Sequence, residues 1–494
     1  MGKKIILGAA HSVIEPLSLL HLSTIAKQEG YIPEIVLVKD ENFGPIREKI
    51  TEVNPEYVGF QSFTGNHKGV FNFYDDIKGG KVKTILGGPH ATYFPKDSSH
   101  HADYVVVSEG FNSFRKILRG EAEKGIVALT EREEFPEADR NGFYKTHISH
   151  RDNPIKSLIT KTGCPYSCTY CYNSSSIDDI KEELSLEQFK KMSEVLGKRG
   201  RLFADSQRSV KDVLKEIDQI KESAPETKML YFQDDVFGAK LSWLKEFAQK
   251  YDKSLSYHAQ LRFEYSDPKK SSGKERLDIL RESGCTGLTF AIESANPTVR
   301  REVLNRNMAN DLMFNSLHYA KSLGFNVRTE QMLGLPLGAT TKETPVNIDA
   351  DLETLKLNVE LREETGLPDM AWTSIFVPYN GTDIAKHCIN HGFSKLGSDD
   401  IPVSFFEGST MRFPKKWIGP GLSSKNPSHW LSEKDQRQYE KDLIDLKSHF
   451  SVFARFPRGH ELARDFLKQE DRSAKALDDI VKKHLFDRII YKTL

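Results

Sequence analysis

The chain contains 494 residues, and its 70 Lys and Arg residues balance its 70 Asp and Glu residues, so the formal net charge is zero. This length predicts two or three domains, and the balanced charge argues against nucleic acid as the main partner. The apolar run near the start, Ile5-Ile6-Leu7, is too short for a signal peptide, and no stretch approaches the ~20 apolar residues of a membrane span.

The first part of the chain alternates short apolar runs with amphipathic stretches. The runs predict strands, and the stretches predict helices that end at glycine or polar residues. Strands that alternate with helices at this pitch favour an open, parallel, doubly wound sheet. The predicted strands are residues 3–8, 34–38, 57–60, 83–88 and 104–107, and the predicted helices are residues 17–30, 45–53, 67–78 and 111–118.

Small and polar residues follow several of these strands. In a doubly wound sheet, ligands bind outside the carboxyl ends of the strands. The segments at those ends are His11, residues 62–67, residues 87–92 and residues 108–110. A ligand is therefore expected at this edge of the sheet.

The order Gly87-Gly88-Pro89-His90-Ala91-Thr92, then about fifteen residues, then Val105-Val106-Val107-Ser108-Glu109-Gly110 resembles the N-terminal domain of cobalamin-binding radical S-adenosylmethionine (radical SAM) enzymes. The resemblance covers roughly residues 1–120 and implies a Rossmann-like cobalamin-binding domain over residues 1–125. It implies cobalamin contacts from Thr64, Asn66, Gly87, Gly88, His90 and Glu109.

Two questions about this first domain stay open. The D-x-H-x-x-G pattern that other cobalamin domains use for a histidine below the cobalt is absent, so the lower axial ligand is unassigned. The domain can also be an empty scaffold, in which case His11, His67 and His90 are ordinary loop or core histidines.

Residues 126–154 are charged and irregular, and they include the run Glu131-Arg132-Glu133-Glu134-Phe135-Pro136-Glu137-Ala138-Asp139-Arg140. Such composition is typical of a loop. We predict a solvated linker here, without a chemical role.

The alternation resumes at residue 155 with a longer period. Six predicted strands with helices between them indicate a partial (β/α)6 barrel over residues 155–380, in which active groups collect at the carboxyl ends of the strands. These strands are residues 157–160, 228–235, 256–262, 287–294, 326–336 and 371–376.

Cys164, Cys168 and Cys171 lie just after the first of these strands, in a C-x3-C-x2-C pattern. Three thiolates can hold a [4Fe–4S] cluster by three of its irons, which leaves the fourth iron open for another ligand. The alternative is a structural zinc site, which needs four ligands. Cys285 and Cys388 are far downstream, but His147 or His150 is available as a fourth ligand. Clustered cysteines without a disulfide framework favour a reducing compartment, so we expect a cytoplasmic protein from an anaerobic setting.

This pattern, with Tyr170 before the last cysteine, resembles the radical SAM family over about residues 155–380. The resemblance implies that Tyr170 packs against adenine and that Glu293 contacts the ribose or methionine part of SAM. It implies ligand contacts from Asp234, next to Asp235, and from Arg328, near the Gly334-Leu335-Pro336 turn. Three alternatives stay open: Asp234 caps a helix, Glu293 is a salt-bridged barrel residue, and Tyr170 only shields the cluster.

The family resemblance implies that SAM is cleaved reductively to a 5′-deoxyadenosyl radical. With cobalamin, the expected outcome is transfer of a methyl group from methylcobalamin to an sp3 carbon of a peptide, a natural-product intermediate or a lipid. Cyclisation, ring contraction or oxidation is the alternative within the family, and a nonenzymatic iron–sulfur scaffold or electron-transfer protein is the alternative outside it. An external electron donor such as flavodoxin or ferredoxin is implied. The pattern identifies no acid–base residue.

Residues 381–494 carry no recognisable motif. They contain a Gly- and Pro-rich loop at residues 417–421 and then helix-forming sequence over residues 432–487. We predict a helical region that shapes the substrate pocket and covers the barrel. Four aromatic residues, Phe405, Phe406, Trp417 and Trp430, are expected in its core.

Overall fold

The structure is a computed structural model that describes residues 2–203, 206–336, 344–379, 381–394, 408–417 and 429–493. The chain forms two compact units that are discontinuous in sequence. The first contains residues 1–167, 171–237 and 250–257, and the second contains residues 168–170, 238–249 and 258–494. The predicted domain boundaries after residues 125, 154 and 380 stay a prediction. Phe405, Phe406 and residues 418–421 lie outside the described residues.

A six-stranded parallel sheet begins the first unit, in the strand order β2-β1-β3-β4-β5-β6. Its central strands are buried on both faces, which explains why they appear in the sequence as continuous apolar runs. The strands are β1 (Lys3–Ala10), β2 (Tyr31–Val38), β3 (Tyr57–Gln61), β4 (Lys83–Gly87), β5 (Tyr104–Val106) and β6 (Gly125–Val127). All five predicted strands are present, and β6 is an additional strand at the start of the predicted linker.

Helices lie on both faces of this sheet, as a doubly wound fold requires. One apolar cluster includes Leu7, Ile85 and Phe114, and a second includes Ile6, Leu86 and Phe71. The alternation of Ile85 and Leu86 between the two clusters follows from the two-residue period of a strand. The helices are α1 (Leu17–Gln28), α2 (Gly44–Val53), α3 (His67–Ile77), α4 (Pro89–Tyr93), α5 (Pro95–Ser99) and α6 (Phe111–Arg119).

The predicted linker differs from a solvated connector. It contains α7 (Arg140–Thr146) and α8 (Ile148–Asp152), and Arg140 is among the largest fully buried side chains of the structure. The Arg140 guanidinium donates to Glu216 Oε1 at 2.6 Å and to the Ser157 carbonyl at 2.6 Å. The charged sequence of the linker predicted that Arg140 is exposed. Arg140 is buried instead, because residues distant in sequence pair with its guanidinium.

The first unit also contains the start of the barrel. Strands β7 (Ile155–Leu158) and β10 (Met229–Phe232) pair in parallel, and β8 (Lys161–Thr162) pairs with β9 (Ser206–Gln207) in antiparallel fashion. The helices are α9 (Leu186–Leu196) and α10 (Val210–Ser223). Strand β11 (Ser256–Leu261) begins in this unit and follows β10 in the sheet order.

In the second unit, the strand order is β11-β12-β13-β15, and β12, β13 and β15 pair in parallel. The strands are β12 (Cys285–Glu293), β13 (Asn326–Leu333), β14 (Thr344–Pro345), β15 (Met370–Ile375) and β16 (Lys416–Trp417), of which β14 and β16 form a separate antiparallel pair. The helices are α11 (Leu241–Lys250), α12 (Ser271–Glu282), α13 (Asn310–Ser322) and α14 (Asp349–Thr365). All six predicted barrel strands are therefore present.

The C-terminal residues form the predicted helices, which are α15 (Asp383–Asn390), α16 (Glu433–Phe453), α17 (Gly459–Leu467) and α18 (Ala474–Thr493). Leu443 and Phe450 of α16 share one apolar cluster with Leu333 of β13 and Ile375 of β15. Trp430 is buried in the same cluster, as expected. Among the described residues, no helix is both long and apolar enough to cross a membrane.

Candidate functional site

The three-cysteine loop begins immediately after β8, where Gly163 has φ = 68°. This left-handed conformation favours glycine, which carries no Cβ. Cys168 is buried, and Cys164 and Cys171 are half-buried. In the described ranges, no group of three or more His, Cys, Asp or Glu side chains is gathered closely enough to hold a single metal ion.

Cys168 belongs to the second unit and has a cationic neighbour within that unit. Arg262, which follows β11, donates from Nη1 to Cys168 Sγ at 3.3 Å and from Nη2 to Glu264 Oε1 at 2.5 Å. Cysteine ligates metal as the thiolate, and the guanidinium places a positive charge beside this sulfur. Three thiols, one of them beside an arginine, fit an iron–sulfur cluster by donor type.

Tyr170 and Glu293, both predicted to contact SAM, are in contact with each other. The Tyr170 hydroxyl donates to Glu293 Oε1 at 2.6 Å. Arg306 Nη1 donates to the same hydroxyl at 3.1 Å and to the same carboxylate oxygen at 3.3 Å. Burial raises the pKa of Glu293, and the charge of Arg306 opposes that rise. The structure therefore joins two predicted residues through a third that the sequence analysis missed.

The backbone at Glu293 is unusual. Its φ of 66° is in the left-handed region, and the register with β13 shifts between Ala291 and Glu293. Such a conformation is costly for a residue with a side chain. Glu293, at this irregular end of β12, accepts from the Tyr170 hydroxyl.

Asp234 has a structural role in the first unit. It is fully buried, and its carboxylate accepts from the Thr160 amide at 3.1 Å and the Thr160 hydroxyl at 2.6 Å. Burial raises the pKa of Asp234 to about 7. These contacts brace the segment after β7, whereas the neighbouring Asp235 accepts from Asn173 Nδ2 at 2.7 Å. Asp235 is therefore the acid that contacts the residues following the cysteine loop.

Arg328 lies on β13 and pairs with Glu330. Its guanidinium carbon lies 5.8 Å from the centroid of the Trp372 ring of β15. Arg328 Nε is buried and has no hydrogen-bond partner among the described residues. An unsatisfied buried donor is costly, so this atom is suited to a ligand that supplies an acceptor.

The residues predicted to bind cobalamin lie on two faces of the first sheet. Thr64 Oγ1 is 3.1 Å from His90 Nδ1, and His90 stacks on His67 with ring centroids 4.0 Å apart. Burial, together with His67, lowers the pKa of His90 to about 3, so its imidazole is neutral. Asn66 Nδ2 and His90 Nε2 are buried without a partner among the described residues. These two polar atoms fit a ligand with amide groups.

Gly87 and Gly88 border a cavity of about 120 Å³ on the opposite face, next to the cluster that contains Leu7 and Phe114. Gly88 has φ = 100°, and a Cβ there would lie 2.5 Å from the Ser62 carbonyl oxygen. Other glycines, Gly59 and Gly110, also line the cavity, which leaves the backbone open to a ligand. Glu109 lies beside Gly110; its carboxylate accepts from the Glu133 amide at 3.4 Å, and burial raises its pKa.

The histidines considered as zinc ligands have other neighbours. His150 Nε2 lies 2.9 Å from the Ser12 carbonyl oxygen, and the rings of His11 and His147 lie 5.8 and 6.1 Å from the His150 ring. His147 Nδ1 lies 3.1 Å from the Phe143 carbonyl oxygen. These contacts belong to the first sheet and α7, so they give no support to a zinc site with the cysteines.

Arg306 is the main functional candidate that the sequence analysis did not identify. It follows a π-helical turn at Val299–Val303, and its place beside Tyr170 depends on a contact across 136 residues. The sequence signal is limited to three arginines at 300, 301 and 306. No periodicity distinguishes them. Arg300 donates instead to the Ser294 and Met308 carbonyls and organises the loop.

Two protein-family models match the chain. The B12 binding domain matches residues 3–118, and the Radical SAM superfamily matches residues 158–343. An uncharacterized methyltransferase, PH0819, from Pyrococcus horikoshii is 24% identical over 408 residues, which cover 76% of this chain and 78% of the relative.

Two solved structures have a similar fold. The radical SAM methyltransferase TsrM from Kitasatospora setae, with cobalamin and a [4Fe–4S] cluster bound, is 13% identical with a TM-score of 0.57, covering 94% of this chain and 100% of that chain. The cobalamin-dependent radical enzyme OxsB, with aqua-cobalamin and SAM bound, is 14% identical with a TM-score of 0.63, covering 98% of this chain and 75% of that chain.

These matches confirm the predicted α/β fold class: a cobalamin-binding domain, a half-barrel of parallel strands and a helical C-terminal region. They also decide against the empty scaffold, the zinc site and the nonenzymatic protein. The chain is a cobalamin-dependent radical SAM enzyme whose cofactors are a [4Fe–4S] cluster, S-adenosylmethionine and cobalamin.

Proposed function

We propose that this enzyme transfers a methyl group from methylcobalamin to an unactivated sp3 carbon of a peptide or protein side chain, a natural-product intermediate or a lipid. The observation that carries the proposal is the presence, in one chain, of a B12 binding domain at residues 3–118 and a three-cysteine loop within a radical SAM domain at residues 158–343. The name of the Pyrococcus horikoshii relative, which matches three quarters of this chain, supports methyl transfer.

Cys164, Cys168 and Cys171 would hold the cluster, and Tyr170, Glu293 and Arg306 would bind SAM beside it. When bound, the cluster would supply the electron that cleaves SAM, and cobalamin would supply the methyl group. Hydrogen bonds from Tyr170 and Arg306 fix the Glu293 carboxylate. A carboxylate fixed in this way orients a ligand without losing further side-chain entropy.

In the cobalamin domain, the glycine-lined cavity would accept part of the corrinoid. Gly87 and Gly88 would approach it through their backbone, as the space beside them allows. On the other face, Asn66 Nδ2 would donate to its amide groups, and His90 Nε2 would donate to them or accept from them. The contact between the Thr64 hydroxyl and His90 Nδ1 fixes the orientation of the His90 ring.

We further infer a cytoplasmic enzyme, because thiols stay reduced in that compartment. Its partners would be a small molecule or a peptide as substrate and a one-electron donor such as flavodoxin or ferredoxin. The helices from α15 to α18 would shape the substrate pocket.

The test is reconstitution without oxygen, followed by mass analysis of the product. We expect about four irons and one cobalt per chain, and a product heavier by one CH2 group that carries the label of SAM with a deuterated methyl group. We expect about two SAM molecules consumed per product, one cleaved and one methylating cobalt. A product lighter by two hydrogens would instead establish cyclisation or oxidation, and an unlabelled product would overturn methyl transfer from SAM through cobalamin.

Glu293→Gln is expected to weaken SAM binding by about 10- to 100-fold, because a hydrogen bond to a charged group contributes about 1.5–3 kcal/mol. The amide retains the shape of the side chain but leaves Arg306 without its anionic partner. Equilibrium dialysis of SAM on the reconstituted protein measures this change. Glu302→Gln, on an exposed residue paired with Arg301, is the matched control and should bind SAM normally. Unchanged SAM affinity in Glu293→Gln would exclude the proposed contact.

A further inference from the structure

Cys168 is the most buried of the three cysteines of the loop. It is 6% exposed, and Arg262, also 6% exposed, donates from Nη1 to its sulfur at 3.3 Å. Arg262 also donates from Nη2 to Glu264 Oε1 at 2.5 Å. One guanidinium is therefore shared between a sulfur and a carboxylate in a site with little solvent.

A second buried arginine belongs to the same neighbourhood. Arg306 is 4% exposed and donates to the Tyr170 hydroxyl and to the Ala291 carbonyl. The guanidinium of arginine stays protonated in proteins, so both groups are cationic next to the loop.

Each of the two cations has a carboxylate neighbour. Arg306 lies 3.3 Å from Glu293, and Arg262 lies 2.5 Å from Glu264. The negative charge of Glu264 offsets part of the positive charge that Arg262 places beside Cys168.

Hydrogen bonds to cysteine sulfur and nearby charge are two of the factors that set the reduction potential of an iron–sulfur cluster. Reduction adds one electron and increases the negative charge on the cluster and its thiolates. A donor N–H and a cation at the sulfur stabilise that form more than the oxidised form. In a buried site this difference is larger than in water.

We propose that Arg262 is a positioning residue that raises the reduction potential of the cluster through Cys168, and that Glu264 sets how strongly it does so. The electron comes from the external one-electron donor and enters the cluster, and no proton transfer is required. The inference rests on the proposed ligation of the cluster by the three cysteines. It assigns Arg262 and Glu264 a role in electron acceptance, separate from the binding of SAM.

The test is a redox titration of the reconstituted full-length protein without SAM. The electron paramagnetic resonance signal of the reduced cluster monitors the titration. For Arg262→Gln we expect at least a tenfold lower ratio of reduced to oxidised cluster at a fixed potential, equivalent to about 59 mV for one electron. Arg262→Lys, which keeps the charge, should fall between Arg262→Gln and the natural protein. Arg301→Gln removes a charge from an exposed residue and should leave the potential unchanged.

Glu264→Gln gives a test of opposite sign, and it does not alter a residue that contacts the cysteine. It should raise the ratio of reduced to oxidised cluster, because it removes the negative charge of Glu264 beside Arg262. If Arg262→Gln fails to assemble a cluster, the result of Glu264→Gln decides: an unchanged or lower potential overturns the proposal. An unchanged potential in Arg262→Gln with a full iron content overturns it as well. Absence of iron in the natural protein would instead contradict the proposed function.

Discussion

Replacing Cys168 with alanine is expected to reduce the iron content after anaerobic reconstitution from about four per chain to less than one, and SAM cleavage to the background rate. Cluster ligation depends on thiolates, and a site with three protein ligands has no spare one. Cys168 is the most buried of the three cysteines, and its sulfur accepts a hydrogen bond from Arg262. Iron analysis, the visible absorbance of the cluster and the yield of 5′-deoxyadenosine measure the effect.

The same variant should still bind cobalamin, because the B12 binding domain ends well before the cysteine loop. Cys285→Ala and Cys388→Ala are matched controls, since both thiols are fully buried and lie outside the loop. They should keep their iron. If Cys168→Ala lost cobalamin together with iron, or if Cys285→Ala lost its iron, the assignment of the cofactors to separate parts of the sequence would be wrong.

Arg140→Met is expected to lower the free energy of unfolding of the first unit by about 3–5 kcal/mol, the usual cost of removing one partner from a buried ion pair. Glu216 would stay buried with Arg208 as its remaining cationic partner, and the Ser157 carbonyl would lose its donor. Urea denaturation, monitored by circular dichroism, measures the change in the free energy of unfolding. The control is Arg151→Met, an exposed residue paired with Asp152, which should leave stability unchanged.

The Arg140 network also predicts how stability depends on pH. Burial alone would raise the pKa of Glu216, but the charges of Arg140 and Arg208 outweigh burial and lower it to about 2. A carboxyl group whose folded pKa is depressed stabilises the fold fully above its unfolded pKa, about 4.3, and this contribution is lost as the pH falls toward 2. Stability should therefore fall across that range. Glu216→Gln should flatten this part of the profile, and an unchanged slope would contradict the lowered pKa.

The sequence by itself determined the elements of both sheets and the location of the cluster loop. Strands such as β3 and β12 are apolar runs with polar ends, and the helices between them have a clear apolar period, so both types of signal are local. The cysteine pattern is also local, because its chemistry depends on three residues within eight positions of the chain. The addition of β6, the helices in the predicted linker and the burial of Arg140 were not predicted, because a charged run indicates exposure unless its partners are known.

Only the tertiary structure decided how the candidate site is assembled. Tyr170 and Glu293 are 123 residues apart, and Arg306 completes their network from a loop without any periodic signal. Asp234, which the family pattern associated with SAM, is enclosed by Thr160, and Asp235 instead contacts Asn173. Arg262 reaches Cys168 across 94 residues. Side-chain period and residue type fix which face of a strand a residue occupies, but the partner that a buried charge finds there depends on how distant loops pack together.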